Sequence, residues 1–589
     1  MKSSLIAAIT LFSTSIFAQN FGRVDPTSEK GKLYEPSGST TQLPDGDQVI
    51  ISCLKGIILT DESSLSSEEK QRAVGGLDTL NIQVPGKLKY LKSYLSYEFL
   101  QKPLTKQRLL DLKQEILMYY RRQGRPVVTL QIPQQKVTDG VLQILVIEGK
   151  LGQVKVEGNT HFKSHILRNY IQLKEGQPID SQILLTDVAW INRNPFRHVD
   201  VVFGPGDIAG TTDIRLLTND SRPWKVYTGV DNTGYDKTSL IRLFTGANWG
   251  KIFNLDHTFS MQLTHAPDIR QFWSLIGYYS MPLPWRHILS FYGGYSHVHT
   301  KIHPKSSETT SKQKSQTSPS GYSVQASTRY NIILKPIGTY LQDVIVGADY
   351  KRTNTGVDHG KEMQSPMSSN LTQLMSGYNG AFDSSYIKFA LSADLFYSPG
   401  KWLPNQSSET YDPLHRGATP HYFYGRFSFT PVLRLPKDFS FALNLEGQVS
   451  TQNLLPSEQY GLGGHNTVRG YKERIVNADN AFFSSTELRS PPLSFIGKRA
   501  FKDVLQLLLF LDYGIGGNVH QDLDKTSTQY LLSYGPGVRY NISPYMTFKA
   551  DLGIKLNKIE KKLSPIEKQT IQESDTSPFR FHFSFIASY

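Results

Sequence analysis

The sequence predicts α+β modules at the N-terminal end, followed by an all-β transmembrane barrel of about sixteen antiparallel strands. Three observations lead there. Helical periodicity disappears after Trp224, and strand-like stretches follow at about 224–233, 238–249, 255–265, 271–282, 287–298, 321–334, 339–353, 370–382, 386–397, 420–435, 439–452, 481–489, 503–516, 528–542, 545–557 and 579–589. Many run to about 10 to 15 residues; strands of soluble sheets usually have about five or six, and a tilted membrane strand needs about ten. From the fifth stretch on, every second connection is short (KPIG, DSS, PKD and SP, with one exception at 490–502). The others are long and polar, such as HTKIHPKSSETTSKQKSQTSPS and KIEKKLSPIEKQTIQESDTSP. Short turns on one side and long loops on the other are the mark of a membrane barrel. Finally, the chain ends in FRFHFSFIASY, which puts Phe579, Phe581, Phe583, Phe585, Ala587 and Tyr589 on one strand face. Arg580, His582, Ser584 and Ser588 take the other. A soluble sandwich accommodates that alternation but gives no reason to segregate loop length.

At the N-terminus, MKSSLIAAITLFSTSIFAQN carries one cation, Lys2, an apolar run from Leu5 to Phe12 and a small residue at Ala18. This order predicts a secretory signal over residues 1–18, cleaved between Ala18 and Gln19. An uncleaved anchor fits less well, because Thr10, Ser13, Thr14 and Ser15 interrupt a run that is already short. Cys53 is the only cysteine, so an exported chain forms no disulfide within itself, and a buried free thiol is expected there. Mean hydropathy is −0.35, yet the chain holds 31 Tyr, 30 Phe and 46 Gly, which suits twisted amphipathic strands with aromatic belts. The net charge of +13 comes without a dense Lys/Arg helix or an aromatic RNA-binding strand. It therefore points to anionic lipid headgroups or an acidic client rather than to nucleic acid.

Residues 19–47 are polar, rich in Gly, Pro and Ser, and without period, which predicts a flexible linker. A first module follows over 48–149. In PLTKQRLLDLKQEILMYYRRQG, Leu109, Leu112, Ile116 and Tyr119 or Tyr120 share a helical face, with Thr105 as N-cap and Gly124 as stop. The strands VVTLQI and VLQILVIEG flank a turn at Thr138-Asp139-Gly140. Residues 150–222 repeat the form, with the strand LGQVKVEGN, helices in SHILRNYIQL and SQILLTDVAWINRN, and the strands VDVVFGP and TTDIRLLTND. Each module reads as a small sheet with two helices on one face. The barrel takes residues 223–589, and an even strand count puts the modules and Tyr589 together on the short-turn, periplasmic side of an outer membrane.

One long connection, over residues 453–480, is unlike a surface loop. It holds Gly461, Gly463 and Gly464 and then Val468, Arg469, Gly470 and Tyr471. Glycines let backbone approach a wall closely, and a lone Arg in a polar lumen needs a carboxylate. Strand parity supplies candidates. In LQLLLFLDYGIGG, Leu505, Leu507, Leu509 and Leu511 belong on the lipid face, so Phe510, Asp512 and Gly514 point inward. In AFFSSTELRS, Glu487 and Arg489 lie opposite Phe482 and Leu488. A cation on the lipid face costs about 2 to 4 kcal/mol at the midplane, so inward placement is expected. Arg469 paired with Asp512, and with Glu487, is the predicted constellation.

VRGY in a long loop, F-x-D-x-G at Phe510, Asp512 and Gly514, and two preceding small modules together resemble the two-partner secretion transporters, or haemolysin secretion/activation proteins. These belong to the polypeptide-transport-associated (POTRA) barrel superfamily. The resemblance covers about residues 48–589. PLTKQRLLDLKQEILMYYRRQG with VTDGVLQILVIEG is similar to the first POTRA module, NRNPFRHVDVVFGPGDIAGTTDI to the second, and VYTGVDNTG to the first barrel strand. The resemblance implies that the VRGY loop folds into the lumen, that Arg469 meets Asp512, and that a POTRA groove binds an extended client by strand addition. It also implies that the last strand, with Phe581, Phe583, Phe585 and Tyr589, is the signal read by the barrel assembly machinery. Three departures stand out: residues 19–47 show no helix suited to plugging the pore, VIISCLKGIIL carries Cys53 where a cleaner strand is expected, and Tyr589 ends the chain where Phe is more usual.

No enzyme motif is present: H-E-x-x-H, a P-loop and G-x-S-x-G are all missing, and one Cys makes no cysteine-based zinc site. His297, His299 and His303 share strand parity, but they run out into a loop, so no metal and no cofactor is expected. GLGGHN lacks the following helix of a phosphate loop. The expected function is an outer-membrane translocator that secretes a large unfolded partner protein without ATP. An assembly or insertion factor of the same superfamily is the second reading, and a passive solute pore the third. A fold-stabilising ion pair without a transport role is the plainer account of Arg469 and Asp512.

Overall fold

The computed structural model describes residues 33–34, 45–61, 75–135, 137, 139–236, 238–299, 320–356, 358–359, 362–363, 367–496, 502–521, 528–559 and 577–589. The expected signal, most of the expected linker and His303 lie outside these residues. The chain forms two compact units, one comprising the described residues up to Arg222 and the other running from Pro223 to Tyr589.

In the first module the strands Gly76–Leu80, Gly56–Thr60 and Val141–Glu148 run parallel, and Val128–Gln131 lies antiparallel to the last. Helices Leu88–Glu98 and Lys106–Arg122 cover this sheet, packing Leu91, Leu95, Leu112, Ile116 and Tyr120 onto Ile57, Leu59 and Ile144. The Thr105 side chain accepts from the Arg108 N–H at 3.3 Å, and Gly124 ends the helix at φ +89°. Leu88–Glu98 is the second helix expected of this module; its position was not legible, because Tyr90, Tyr94 and Tyr97 are exposed on its outer side and blur the period that Leu91 and Leu95 set. Cys53 corrects an expectation. It sits half-buried in the break between Val49–Ile51 and Gly56–Thr60, with Sγ 3.6 Å from Gln101 Oε1, rather than inside a core.

The second module orders its sheet as Leu33–Tyr34, Arg197–Pro205, Thr211–Asp220, Lys150–Glu157, with helices Ser164–Asn169 and Ser181–Ile191. Leu33 and Tyr34 fall within the expected linker, yet they pair in parallel with Val201 and Val202. Asp180 caps the longer helix, accepting from the N–H groups of Gln182 and Ile183 at 2.9 and 3.2 Å. A bulge interrupts the pairing of Thr211–Asp220 with Lys150–Glu157 at Asp213. The buried Asp213 carboxylate fills it, accepting from the Gln153 N–H at 2.8 Å and from Lys155 Nζ at 2.6 Å. Gly152 is what leaves room, since a Cβ there would meet Asp213 Oδ1 at 2.4 Å.

The second unit is a closed barrel of sixteen antiparallel strands. They are β1 (Trp224–Asp231), β2 (Arg242–Ile252), β3 (His257–His265), β4 (Phe272–Pro282), β5 (His287–His299), β6 (Ser320–Ile333), β7 (Leu341–Gly356), β8 (Met367–Asp383), β9 (Ile387–Pro399), β10 (His421–Arg434), β11 (Ser440–Ser450), β12 (Asn480–Arg489), β13 (Lys502–Gly517), β14 (Gln529–Ser543), β15 (Met546–Lys555) and β16 (Phe579–Ser588). The last strand closes against the first, in register from Tyr227 opposite Ser588 to Asp231 opposite Ser584. Asn232 extends this seam with its side chain, donating to Phe581 O at 2.7 Å and accepting from the Phe583 N–H at 2.9 Å. Alternation sorts the faces. On β13, Leu507, Leu509 and Leu511 are exposed outward, whereas Leu508, Phe510 and Asp512 are buried inward. Phe579 and Phe581 likewise lie outward on β16, with His582 buried. Among the described residues no helix is long and apolar enough to cross a membrane.

The Asp213 bulge gives a pH-dependent expectation. Hydrogen bonds from Lys155 and the Gln153 N–H hold its carboxyl below the usual carboxylate range. A depressed folded value contributes stability that is complete above the unfolded pKa of about 3.9 and lost as pH falls through the folded value. Asp213→Asn is therefore expected to weaken the modules at neutral pH, with parent and variant converging as pH falls below the depressed folded value. Urea unfolding of the full chain checks this through Trp190, which is the one tryptophan before Trp224.

Candidate functional site

The connection between β11 and β12 folds back into the barrel. It forms its own hairpin, Tyr460–Leu462 against Val476–Ala478, and buries Tyr460, Leu462, Val468 and Tyr471 against Phe483 of β12 and Leu531 of β14. Gly463, Gly464 and Gly470 have φ of +98°, +108° and +96°, in the region that favours glycine. At Gly470 the loop lies directly on wall backbone. A Cβ on Gly553 of β15 would meet Gly470 N at 2.2 Å, and one on Gly470 would meet the Gly553 carbonyl at 3.0 Å. The Gly470 N–H donates to His582 Nε2 of β16 at 3.1 Å.

Arg469 is buried and heavily bonded. Its Nε and backbone N–H donate to Asp512 Oδ2 at 2.8 and 3.0 Å, and Nη2 donates to Asp512 Oδ1 at 2.7 Å. Nη1 donates to Glu487 Oε1 at 2.8 Å and approaches Asp551 Oδ1 at 3.5 Å. Ser485 completes the fork, accepting from Nη2 at 3.0 Å and donating to Asp512 Oδ1 at 2.6 Å. The structure thus brings Arg469 together with both sequence-derived carboxylates. The fork geometry is one that guanidinium matches and ammonium does not.

Each residue of the F-x-D-x-G strand has a separate task in this geometry. The Phe510 ring lies under the guanidinium, with the Arg469 Cζ 3.5 Å from its centroid, a cation–π contact. Asp512 grips the fork. Gly514 leaves space, since a Cβ there would meet Val468 Cγ2 at 2.8 Å and Leu462 Cδ2 at 3.0 Å. The Tyr471 hydroxyl lies within hydrogen-bond reach of Asn557 Oδ1 at 2.7 Å and Leu532 O at 3.0 Å. The carboxylates are shared with further cations. Glu487 also accepts from Arg489 at 2.7 Å, and Asp551 from Arg539 at 2.9 Å, so three carboxylates face three guanidiniums.

Sequence reasoning missed Asp551, Gly553 and His582. Asp551 and Gly553 share one face of the strand MTFKADLGIK and were open to the parity test that found Asp512. His582 stood on the polar face of the last strand, but nothing local says that it reaches a loop 112 residues away. Of the histidines weighed as metal ligands, His297 and His299 both lie on β5, and the described residues contain no group of three or more His, Cys, Asp or Glu placed to hold a metal ion.

The family model for the haemolysin secretion/activation protein ShlB/FhaC/HecB matches residues 210–540. A ShlB-type POTRA domain matches residues 89–149, and a second POTRA model, the surface antigen variable number repeat, matches 149–214. The heme/hemopexin transporter protein HuxB of Haemophilus influenzae is 23% identical over 452 residues, 72% of each chain. The outer membrane transporter CdiB of Dickeya dadantii is 21% identical over 383 residues, 64% of this chain and 65% of that one. Among solved structures, CdiB from Escherichia coli superposes with a TM-score of 0.69 at 16% identity, over 93% of this chain and 92% of that chain. CdiB from Acinetobacter baumannii gives 0.60 at 16% identity, over 95% of both. These two share the fold. With more than half of its residues matched, the chain belongs to the haemolysin secretion/activation protein family, as an outer-membrane β-barrel carrying two periplasmic POTRA modules.

Proposed function

We propose that the POTRA modules capture an extended segment of one unfolded exported partner protein, and that the barrel passes this client to the cell surface without ATP. The carrying observation is the edge of the first module's sheet. Among the described residues, Gly76–Leu80 pairs on one side only, with Gly56–Thr60, and so offers backbone donors and acceptors to an incoming strand. The transporter names of HuxB and CdiB support the same reading. No P-loop is present in the sequence, so folding or trapping of the client outside supplies direction. Outward-facing leucines of β13 meet lipid. The last strand addresses the barrel assembly machinery through Phe581, Phe583, Phe585 and Tyr589, while Tyr589 also joins the seam by exchanging backbone bonds with Val226 at 2.9 and 3.0 Å.

In this reading the loop at Val468, Arg469, Gly470 and Tyr471 is the lumen element past which the client moves. Arg469 positions it through Asp512 and Glu487. Removing one member of a buried ion pair costs about 3 to 5 kcal/mol, because the remaining charge is left without compensation.

Two experiments test the proposal. Replacing residues 48–220 with a neutral flexible linker is expected to leave barrel insertion intact and to trap the partner in the periplasm. Unchanged partner export, with failure of other outer-membrane proteins to assemble, would instead favour an insertion factor. Arg469→Ala is expected to lower the barrel's thermal unfolding midpoint in heat-shift electrophoresis and to reduce surface appearance of the partner at least tenfold, on the scale of about 1.4 kcal/mol per decade. Arg469→Lys should recover little, and Arg469→Ala with Asp512→Asn should recover part of the stability. A stability loss with normal secretion would reduce the pair to a purely structural role.

A further inference from the structure

The loop that carries Arg469 has a second buried ionic contact, on the opposite stretch of the wall, at Glu458. Its carboxylate is fully buried. Oε1 accepts from Lys351 Nζ of β7 at 2.7 Å, and Oε2 accepts from the Tyr424 hydroxyl of β10 at 2.8 Å and from Gln373 Nε2 of β8 at 3.2 Å. The backbone carbonyl of the same residue accepts from Arg426 Nη2 of β10 at 2.8 Å and from Gln448 Nε2 of β11 at 3.1 Å. One residue thus bonds to four wall strands. The network continues beyond it: Gln373 donates to Asp349 at 2.9 Å, and Asp349 pairs with Arg329 of β6 at 2.6 Å.

Position makes these bonds informative. Glu458 lies at the loop's root, before the hairpin, and Arg469 at its tip, eleven positions later in the numbering. The root is bonded to β7, β8, β10 and β11, whereas the tip is bonded to β12, β13 and β15. Between the two contacts the hairpin has its own glycine-rich turn, and Tyr460 donates its hydroxyl to Glu446 Oε2 of β11 at 2.7 Å, while β7, β8 and β10 are reached through Glu458. A loop held at the tip alone could pivot about its covalent ends. Held at both, it spans the lumen as a strut.

We propose that Glu458 is a second positioning residue of the lumen loop, fixing its root on β7, β8 and β10 as Arg469 fixes its tip. Its consequence for client passage rests on the secretion reading above; the anchoring itself does not. Lys351 is the cation that bonds the buried carboxylate directly, so Lys351→Met removes that ion pair and leaves Arg426, bonded to the Glu458 backbone carbonyl, as the cation nearby. Glu458→Gln keeps the shape and the bonds to Gln373 and Tyr424 but removes the charge. Removing both charges together should restore more than either single change leaves, because a buried pair is less costly to delete than to break.

The test uses the full chain in a Cys53→Ser background, which leaves no other thiol. Leu462→Cys, in the buried hairpin, reports loop position through its reaction rate with a maleimide in the inserted, heat-shift-competent barrel, with no client present. Glu458→Gln and Lys351→Met are each expected to speed labelling at least about tenfold, the change one charged hydrogen bond is worth. The Lys351→Met/Glu458→Gln pair should fall closer to the parent than Lys351→Met alone. Labelling that stays at the parent rate in both single variants, while Arg469→Ala accelerates it, overturns the proposal. So does acceleration only in variants whose heat shift is lost, since that reports unfolding rather than a freed loop. Faster labelling with undiminished partner secretion upholds the anchor and removes the loop from the translocation path, so the two readings fail separately.

Discussion

Closure of the backbone ladder is the constraint on which everything else in the barrel depends. A strand in hydrocarbon cannot leave its N–H and C=O groups without partners, so sixteen strands are stable there only if the last meets the first. That junction is short. β1 and β16 are in register over five residue pairs, and Asn232 and Tyr589 lengthen it at either end. Once the wall is closed, parity decides the rest: outward positions take aromatic and aliphatic side chains, and inward positions collect the Arg, Asp and Glu that the membrane excludes.

Those inward charges need partners too, and the loop supplies them. Arg469 enters a wall that already holds Arg489 and Arg539, and its arrival balances Asp512, Glu487 and Asp551. The lumen is therefore neither a water-filled pipe nor an apolar core. It is a polar interior whose charges are satisfied by a segment that crosses it, and the glycines at 470 and 553 let the two backbones come close enough for the fork to reach.

The barrel was legible because its physics is written locally. Alternation needs only a two-residue period, and segregation of loop lengths needs only the order of strands and turns. Asp512 and Glu487 were legible for the same reason, since lipid exposure of Leu507, Leu509 and Leu511 forces their neighbour Asp512 inward. What stayed hidden was partnership around the circumference. Glu458 bonds Lys351 across 107 residues, and Arg469 approaches Asp551 across 82, separations that no period encodes. The helix Leu88–Glu98 was hidden differently, by surface tyrosines that carry apolar weight without being buried. The short strand Leu33–Tyr34 lay in a segment whose composition argued for no structure at all.

The contacts of the loop also divide by position in the chain. Asp512, Asp551, Gly553 and His582, which meet the tip, all follow Arg469, whereas Lys351, Gln373 and Tyr424, which meet the root, all precede Glu458. One short segment thus links early strands of the wall to late ones. Through His582 it also grips β16 from within, so the seam strand is held by the loop as well as by its ladders with β1 and β15.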